Sequence, residues 1–240
     1  MVLCFRQVRK NTMDAMLGFA GGVMIAASFW SLLSPAIEMA KSLSMNAWLV
    51  ASTGFFSGGL LLFLGDRIFE RRMKKRNLSL DSADLSSRKR SLMLVFSITL
   101  HNIPQGLAVG VAFGSLAYNL EVATPAAACL LALGIGLQNL PEGTAVSVPL
   151  RREGYSRRRS FVIGWLSGMV EPISSVLGAI LVTRICMLLP SLLAFAAGAM
   201  VYVVVEELIP ESQTNGYKDF MALATLAGFS VMMVLDVALG

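Results

Sequence analysis

Two stretches decide how this chain is read: His101-Asn102-Ile103-Pro104-Gln105-Gly106 and Gln138-Asn139-Leu140-Pro141-Glu142-Gly143. Extended to Val111 and Val148, they share Asn, Pro, Gly, Ala, Val and Val at matching positions, and each lies inside an apolar run. Positions i, i+1 and i+4 of a helix project to one side. His101, Asn102 and Gln105 therefore form one polar face, and Gln138, Asn139 and Glu142 form its copy. Each proline adds to this, because its missing N–H and its ring deprive the carbonyl four residues earlier, Leu100 or Leu137, of a helical partner. An imidazole nitrogen, amide and carboxylate oxygens and freed carbonyls together make a ligand set for a divalent cation.

Composition places these faces in a membrane. The chain is 55% hydrophobic and only 15% charged, with a mean hydropathy of +0.68, outside the soluble range. Apolar runs at 15–35, 47–65, 92–114, 126–150, 161–183, 191–208 and 220–239 each approach the roughly 20 residues that a spanning helix requires. The expectation is an all-α, polytopic membrane helix bundle of seven transmembrane helices, residues 1–240 forming one transmembrane domain.

The net charge of +5 matters less than its placement. Eighteen of the 20 Lys and Arg fall before the first span or in the loops after the second, fourth and sixth, leaving only Lys41 and Arg184 on the other side. Positive charge in short loops marks the cytoplasmic face, so the N-terminus is expected inside and the C-terminus outside. The charges adjoin spans and lack interleaved aromatics, which argues against nucleic acid as a partner. Residues 67–90, rich in Arg, Lys, Ser and Asp, read as a basic cytoplasmic linker. The first residues have the basic start of a signal peptide, but the apolar run from Leu17 is long and no persuasive A-x-A site follows it. A bacterial inner membrane or a plasma membrane is the expected location. Cys4, Cys129 and Cys186 are odd in number and scattered, so no disulfide framework is implied.

An ionised carboxylate near the bilayer centre costs on the order of 2.5–3.5 kcal/mol. Glu142 and Glu171, the latter beside Pro172 in mid-span, therefore require compensation by a cation, a proton or water. His101 is the only histidine in the chain and stands within the motif. Glu206 and Glu207, near the cytoplasmic end of the sixth span, are candidates for lining a pathway, whereas Glu38, Asp66 and Asp236 lie near helix ends and read as interfacial. Small residues at Gly18/Gly22, Gly54/Gly58, Gly106/Gly110/Gly114, Gly143/Ser147 and Gly164/Gly168 favour close helix packing.

The paired H-N-x-P-x-G and Q-N-x-P-E-G motifs, Glu171-Pro172 and the E-E-L-I-P-E run from Glu206 to Glu211 resemble, in the same order, the motifs of the ZIP family of divalent-metal transporters, in particular its GufA-like branch. The resemblance implies a helical bundle with a central metal site, movement of zinc and related ions towards the cytoplasm, and a homodimer. It would place His101, Gln138 and Glu142 at one metal position. Asn102, Asn139, Glu142 and Glu171 would form a neighbouring one, with Gln105 where the family usually has a bridging Glu. Members typically have eight spans; this chain begins with what resembles the second, so a first helix is expected to be absent. Zn²⁺ is the expected cargo, with Fe²⁺, Mn²⁺ and Cd²⁺ as further candidates, and no catalytic cofactor is expected. Two other classes were weighed: a membrane-embedded metallohydrolase, disfavoured by a single histidine and no H-E-x-x-H, and a proton-coupled carrier of organic solutes using Glu142 and Glu171.

Overall fold

A computed structural model describes residues 10–76, 83–118, 124–152, 154–184, 186–213 and 217–239. Among these residues there is no strand. The helices are α1 (Lys10–Ala27), α2 (Ser34–Ser42), α3 (Ala47–Arg76), α4 (Ala83–Ser115), α5 (Pro125–Arg152), α6 (Arg157–Gly168), α7 (Val170–Arg184), α8 (Leu189–Val203), α9 (Ile209–Ser212) and α10 (Lys218–Leu239). Every one of the seven apolar runs lies within this helical framework. Among the described residues, five stretches, Asn11–Ser42, Ala47–Ile68, Arg157–Val182, Leu189–Ser212 and Lys218–Ala238, are long and apolar enough to cross a membrane. The motif helices α4 and α5 have 33 and 28 residues, and at 1.5 Å per residue they exceed the ~30 Å of hydrocarbon.

Local sequence explains the ends and the irregularities. Ser156 caps α6 by accepting from the amide of Arg159 at 3.3 Å, and Thr124 Oγ1 accepts from Ala127 N at 3.1 Å ahead of Pro125, the first residue of α5. Two π-helical segments, Ser28–Leu33 and Val204–Leu208, join α1 to α2 and α8 to α9. Each is followed by a proline, Pro35 or Pro210, in the first turn of the next helix. A proline cannot bond the carbonyl four residues back, and a wider turn relieves the mismatch. The basic stretch 67–90, which composition marks as a linker, is helical at both ends: 67–76 extends α3 and 83–90 opens α4. Arg, Lys, Glu and Met are good helix formers, so charge alone does not interrupt a helix.

Three helix pairs dominate the packing: α4 with α7, α1 with α10, and α3 with α8. The stripes Gly18/Gly22, Gly54/Gly58 and Gly106/Gly110/Gly114 lie at these crossings, whereas Gly164 packs against Ser147 of α5. A Cβ on Gly58 would meet the Phe195 carbonyl of α8, and one on Gly198 would meet the Phe55 carbonyl of α3, so the two backbones touch where both side chains are absent. Between the pairs sits an apolar core that includes Leu17, Met24, Leu32, Leu131, Leu193 and Met200. Large apolar residues such as Trp48 and Phe56, both 72% exposed, point away from that core. In water such exposure would be a liability, whereas in hydrocarbon it has little consequence.

Candidate metal centre

The polar faces of α4 and α5 meet in the interior, and α7 completes the third side. Gly106 makes this possible. A Cβ there would run into Ser174 Oγ and the backbone of Glu171, so only glycine lets the first turn of α7 press against the motif. Ser175 Oγ pins the same contact by donating to the Gly106 carbonyl at 2.8 Å. Gly143 holds the equivalent position in the second motif, yet a Cβ there would meet nothing within 4 Å.

Asn102, Gln105 and Glu142 are buried, at 3%, 1% and 5% exposure, while Asn139 and Glu171 are half-buried. Asn102 Nδ2 donates to the Ser167 carbonyl at 2.9 Å. Asn139 Nδ2 donates to Glu171 Oε2 at 2.6 Å. Gln105 Nε2 faces Glu142 Oε1 at 3.5 Å, the outer limit of a hydrogen bond. A carbonyl or carboxylate oxygen can only accept, so each amide presents its NH₂ to these partners and keeps its oxygen free of them. Asn102 Oδ1, Gln105 Oε1, Asn139 Oδ1 and Glu171 Oε1 are all buried without a hydrogen-bond partner among the described residues. Each such acceptor costs about 1–3 kcal/mol in the absence of a partner, and a divalent cation is a partner of the required chemistry.

Glu142 lies within electrostatic range of Glu171 and of Glu207, which connects the pathway candidate Glu207 to the motif pair. Glu206 and Glu207 both lie within electrostatic range of Tyr202. His101 and Gln138 occupy α4 and α5 one residue before Asn102 and Asn139; their side chains lie outside the described residues. Among the described residues no group of three His, Cys, Asp or Glu side chains converges. The donors brought together are amide oxygens and two carboxylates, an oxygen set of the kind that holds divalent ions exchangeably.

Several features lie beyond the motif reading. Asp14 is fully buried on α1, although it immediately precedes the first apolar run. Asp236 is not simply interfacial: it accepts from Ser31 Oγ at 2.7 Å, an interaction between residues 205 positions apart. Ser175 Oγ and the backbone carbonyl of Ser167 bond α7 and α6 to α4, and Ser174 packs beside Gly106. Their only sequence signal is that polar residues recur in an otherwise apolar run. Beside Asn139 and Glu171 a groove of about 410 Å³ opens between α5 and the α6–α7 unit.

An all-α bundle of membrane-crossing helices, with unsatisfied oxygens and paired carboxylates at its centre, defines a polytopic membrane transporter. The family described as ZIP zinc transporter matches residues 72–236, and the chain belongs to that family, whose members are transporters rather than enzymes. It is 38% identical over 315 residues to zinc transporter ZIP11 of Bos taurus, covering all of this chain and 92% of that protein. Zinc transporter ZIPB of Bordetella bronchiseptica is 35% identical over 242 residues, covering all of this chain and 76% of that protein. Zinc transporter GufA of Myxococcus xanthus is 34% identical over 244 residues, covering all of this chain and 92% of that protein.

Proposed function

We propose that this chain carries Zn²⁺ across a membrane towards the cytoplasm, through a site formed by Asn102, Gln105, Asn139, Glu142 and Glu171 with His101 and Gln138 of the same helix faces. One observation supports the assignment to these residues: among the described residues, four buried side-chain oxygens on three helices lack hydrogen-bond partners around the motif pair. Conduction needs binding that is favourable yet reversible, and neutral amide oxygens beside two carboxylates suit exchange better than a closed thiolate site. Fe²⁺, Mn²⁺ and Cd²⁺ have the charge to use the same oxygens. Residues 1–240 act as one transporter domain, with Glu207 and Glu206 on the route to the cytoplasm. The charge bias places the N-terminus inside, in a bacterial inner membrane or plasma membrane, and the family resemblance supports a homodimer.

The test is influx of Zn²⁺ into vesicles containing the purified chain, followed with a trapped fluorescent indicator. Uptake that is saturable and lost when Glu142 is changed to Gln is the expected result. Uptake equal to that of protein-free vesicles overturns the proposal.

A further inference from the structure

The position of Glu171 is governed by α4 more than by α6. The fifth apolar run is interrupted at Met169, whose amide turns back to the Trp165 and Leu166 carbonyls as α6 ends. Winding resumes at Val170, with Glu171 in the first turn of α7. Pro172 has no N–H to give to the Gly168 carbonyl four residues earlier, so helical bonding between α6 and α7 is weakened at the residues that deliver the carboxylate.

Contact with α4 takes over. A Cβ on Gly106 would strike the Glu171 backbone, one on Gly110 the Ser175 carbonyl, and one on Gly178 the Leu107 carbonyl, so the two backbones touch over two turns. Among the described residues, a side-chain bond fastens this contact towards each end. Ser175 Oγ donates to the Gly106 carbonyl at 2.8 Å. Tyr118, in the short 3₁₀ turn that follows α4, donates its hydroxyl to the Val182 carbonyl at 2.8 Å. The adjacent Ser174 is no substitute, because its hydroxyl bonds the Val170 and Glu171 carbonyls of its own helix.

The two fastenings differ in their distance from the chemistry. Gly106 directly follows Gln105, and Ser175 lies one turn beyond Glu171, about 6 Å along the axis. Val182 lies about 16 Å beyond Glu171. The near bond therefore bears on how far the Glu171 carboxylate stands from the Asn102 and Gln105 oxygens of α4, whereas the far bond holds the opposite ends of the same helices.

We propose that Ser175 is a positioning residue that sets the size selectivity of the metal centre, by holding α7 close enough to α4 for the donors of the two helices to fit Zn²⁺ rather than a larger divalent ion. The proposal rests on the assignment of that centre to Asn102, Gln105, Glu142 and Glu171. Discrimination among divalent ions by oxygen ligands depends on cavity size and rigidity, and ligating groups must be held to within about 0.5 Å. Without the Ser175 bond α7 can stand back from α4, the donors part, and Cd²⁺, the larger ion, gains relative to Zn²⁺.

The test equilibrates the purified chain with equal, excess concentrations of Zn²⁺ and Cd²⁺, removes free metal on a desalting column and counts the retained ions by elemental mass spectrometry. Ser175→Ala, which is smaller than the native residue and adds no contact, should raise the ratio of Cd²⁺ to Zn²⁺ at least threefold. Tyr118→Phe loosens the same helix pair away from the centre and should leave the ratio unchanged, a separation that a merely structural role for Ser175 would not produce. An unmoved ratio in Ser175→Ala overturns the proposal, and so does a shift in Tyr118→Phe as large as that in Ser175→Ala. Glu142→Gln should retain little of either ion. If its retention matches that of the unmodified chain, the ions are bound elsewhere, and the centre and this role for Ser175 fall together; if its retention is lost while the Ser175→Ala ratio stays put, only the role of Ser175 falls.

Discussion

Asn139 Nδ2 reaches Glu171 Oε2 at 2.6 Å across the boundary between α5 and α7. The bond ties the second motif to the glutamate of the fifth apolar run, and Asn139 Oδ1 and Glu171 Oε1 have no hydrogen-bond partner among the described residues. One contact therefore both positions the carboxylate and preserves oxygens for a cation. Asn139→Ala removes a charge-assisted bond and a ligand, a loss of about 1.5–3 kcal/mol, so Zn²⁺ should bind roughly 10- to 100-fold more weakly. Asn139→Asp should instead set two carboxylates together and make the melting temperature depend strongly on added Zn²⁺. Isothermal titration and thermal melts of detergent-solubilised protein check both, and unchanged binding in Asn139→Ala would remove this residue from the site.

Glu142→Gln keeps the side-chain volume in a buried position and deletes the charge. The variant should reach the membrane in normal amounts and show a loss of Zn²⁺ influx of at least tenfold. Influx at the unmodified rate in a well-expressed variant would exclude Glu142 as a ligand.

Gln105→Glu replaces the donor that faces Glu142 with a third carboxylate among Glu142 and Glu171. With only two carboxylates, repulsion between adjacent cations in a low-dielectric site is poorly balanced, so the unmodified chain should bind one Zn²⁺ tightly. The variant should gain or strengthen a second site, and its metal-free form should melt at a lower temperature. Equilibrium binding that gives two comparable tight ions in the unmodified chain would show that amide oxygens suffice.

Gly106 and Gly143 are interchangeable in the motif and unlike in the structure. Gly106→Ala would drive a methyl group into Glu171 and Ser174, an overpacking cost of about 1–3 kcal/mol, and should displace α7 and depress influx. Gly143→Ala enters open space and should be tolerated. Equal effects in the two variants, measured by influx and melting together, would refute the asymmetry.

The charge division between loops predicts opposite locations for the two chain ends. A tag at the N-terminus should be protected in intact cells and one after Gly240 should react with an impermeant label. Labelling of both ends from outside would require an even number of spans.

The repeat of Asn, Pro and Gly made the central faces legible, because amides and carboxylates in apolar helices have few structural excuses. The seven apolar runs were legible for the same reason: hydrocarbon tolerates little else. Tertiary partners were not. Asp236 reads as interfacial because an apolar run ends near it, and nothing in the sequence singles out Asp14, yet burial of Asp14 and the bond from Ser31 to Asp236 depend on which helices pack together. Residues 67–76 and 83–90 looked like linker by charge, but their helix propensity is high. Nothing in the motif distinguishes Gly106 from Gly143, since the difference lies in α7, remote in sequence.

The two π segments have a consequence for how this chain can change. Each accommodates, within a wide turn, what amounts to one surplus residue, and an α-helix advances about 100° per residue. Ser31 stands inside the first such turn, and Glu206 and Glu207 stand inside the second. Removing a single residue from either would let the helix revert to regular winding and swing everything beyond it by more than a quarter of a revolution. Polar side chains would be traded for apolar ones on the inner face without any substitution. At these two places the protein is defended by length rather than by identity: point changes meet a forgiving wall, whereas a one-codon deletion rotates the mechanism out of alignment.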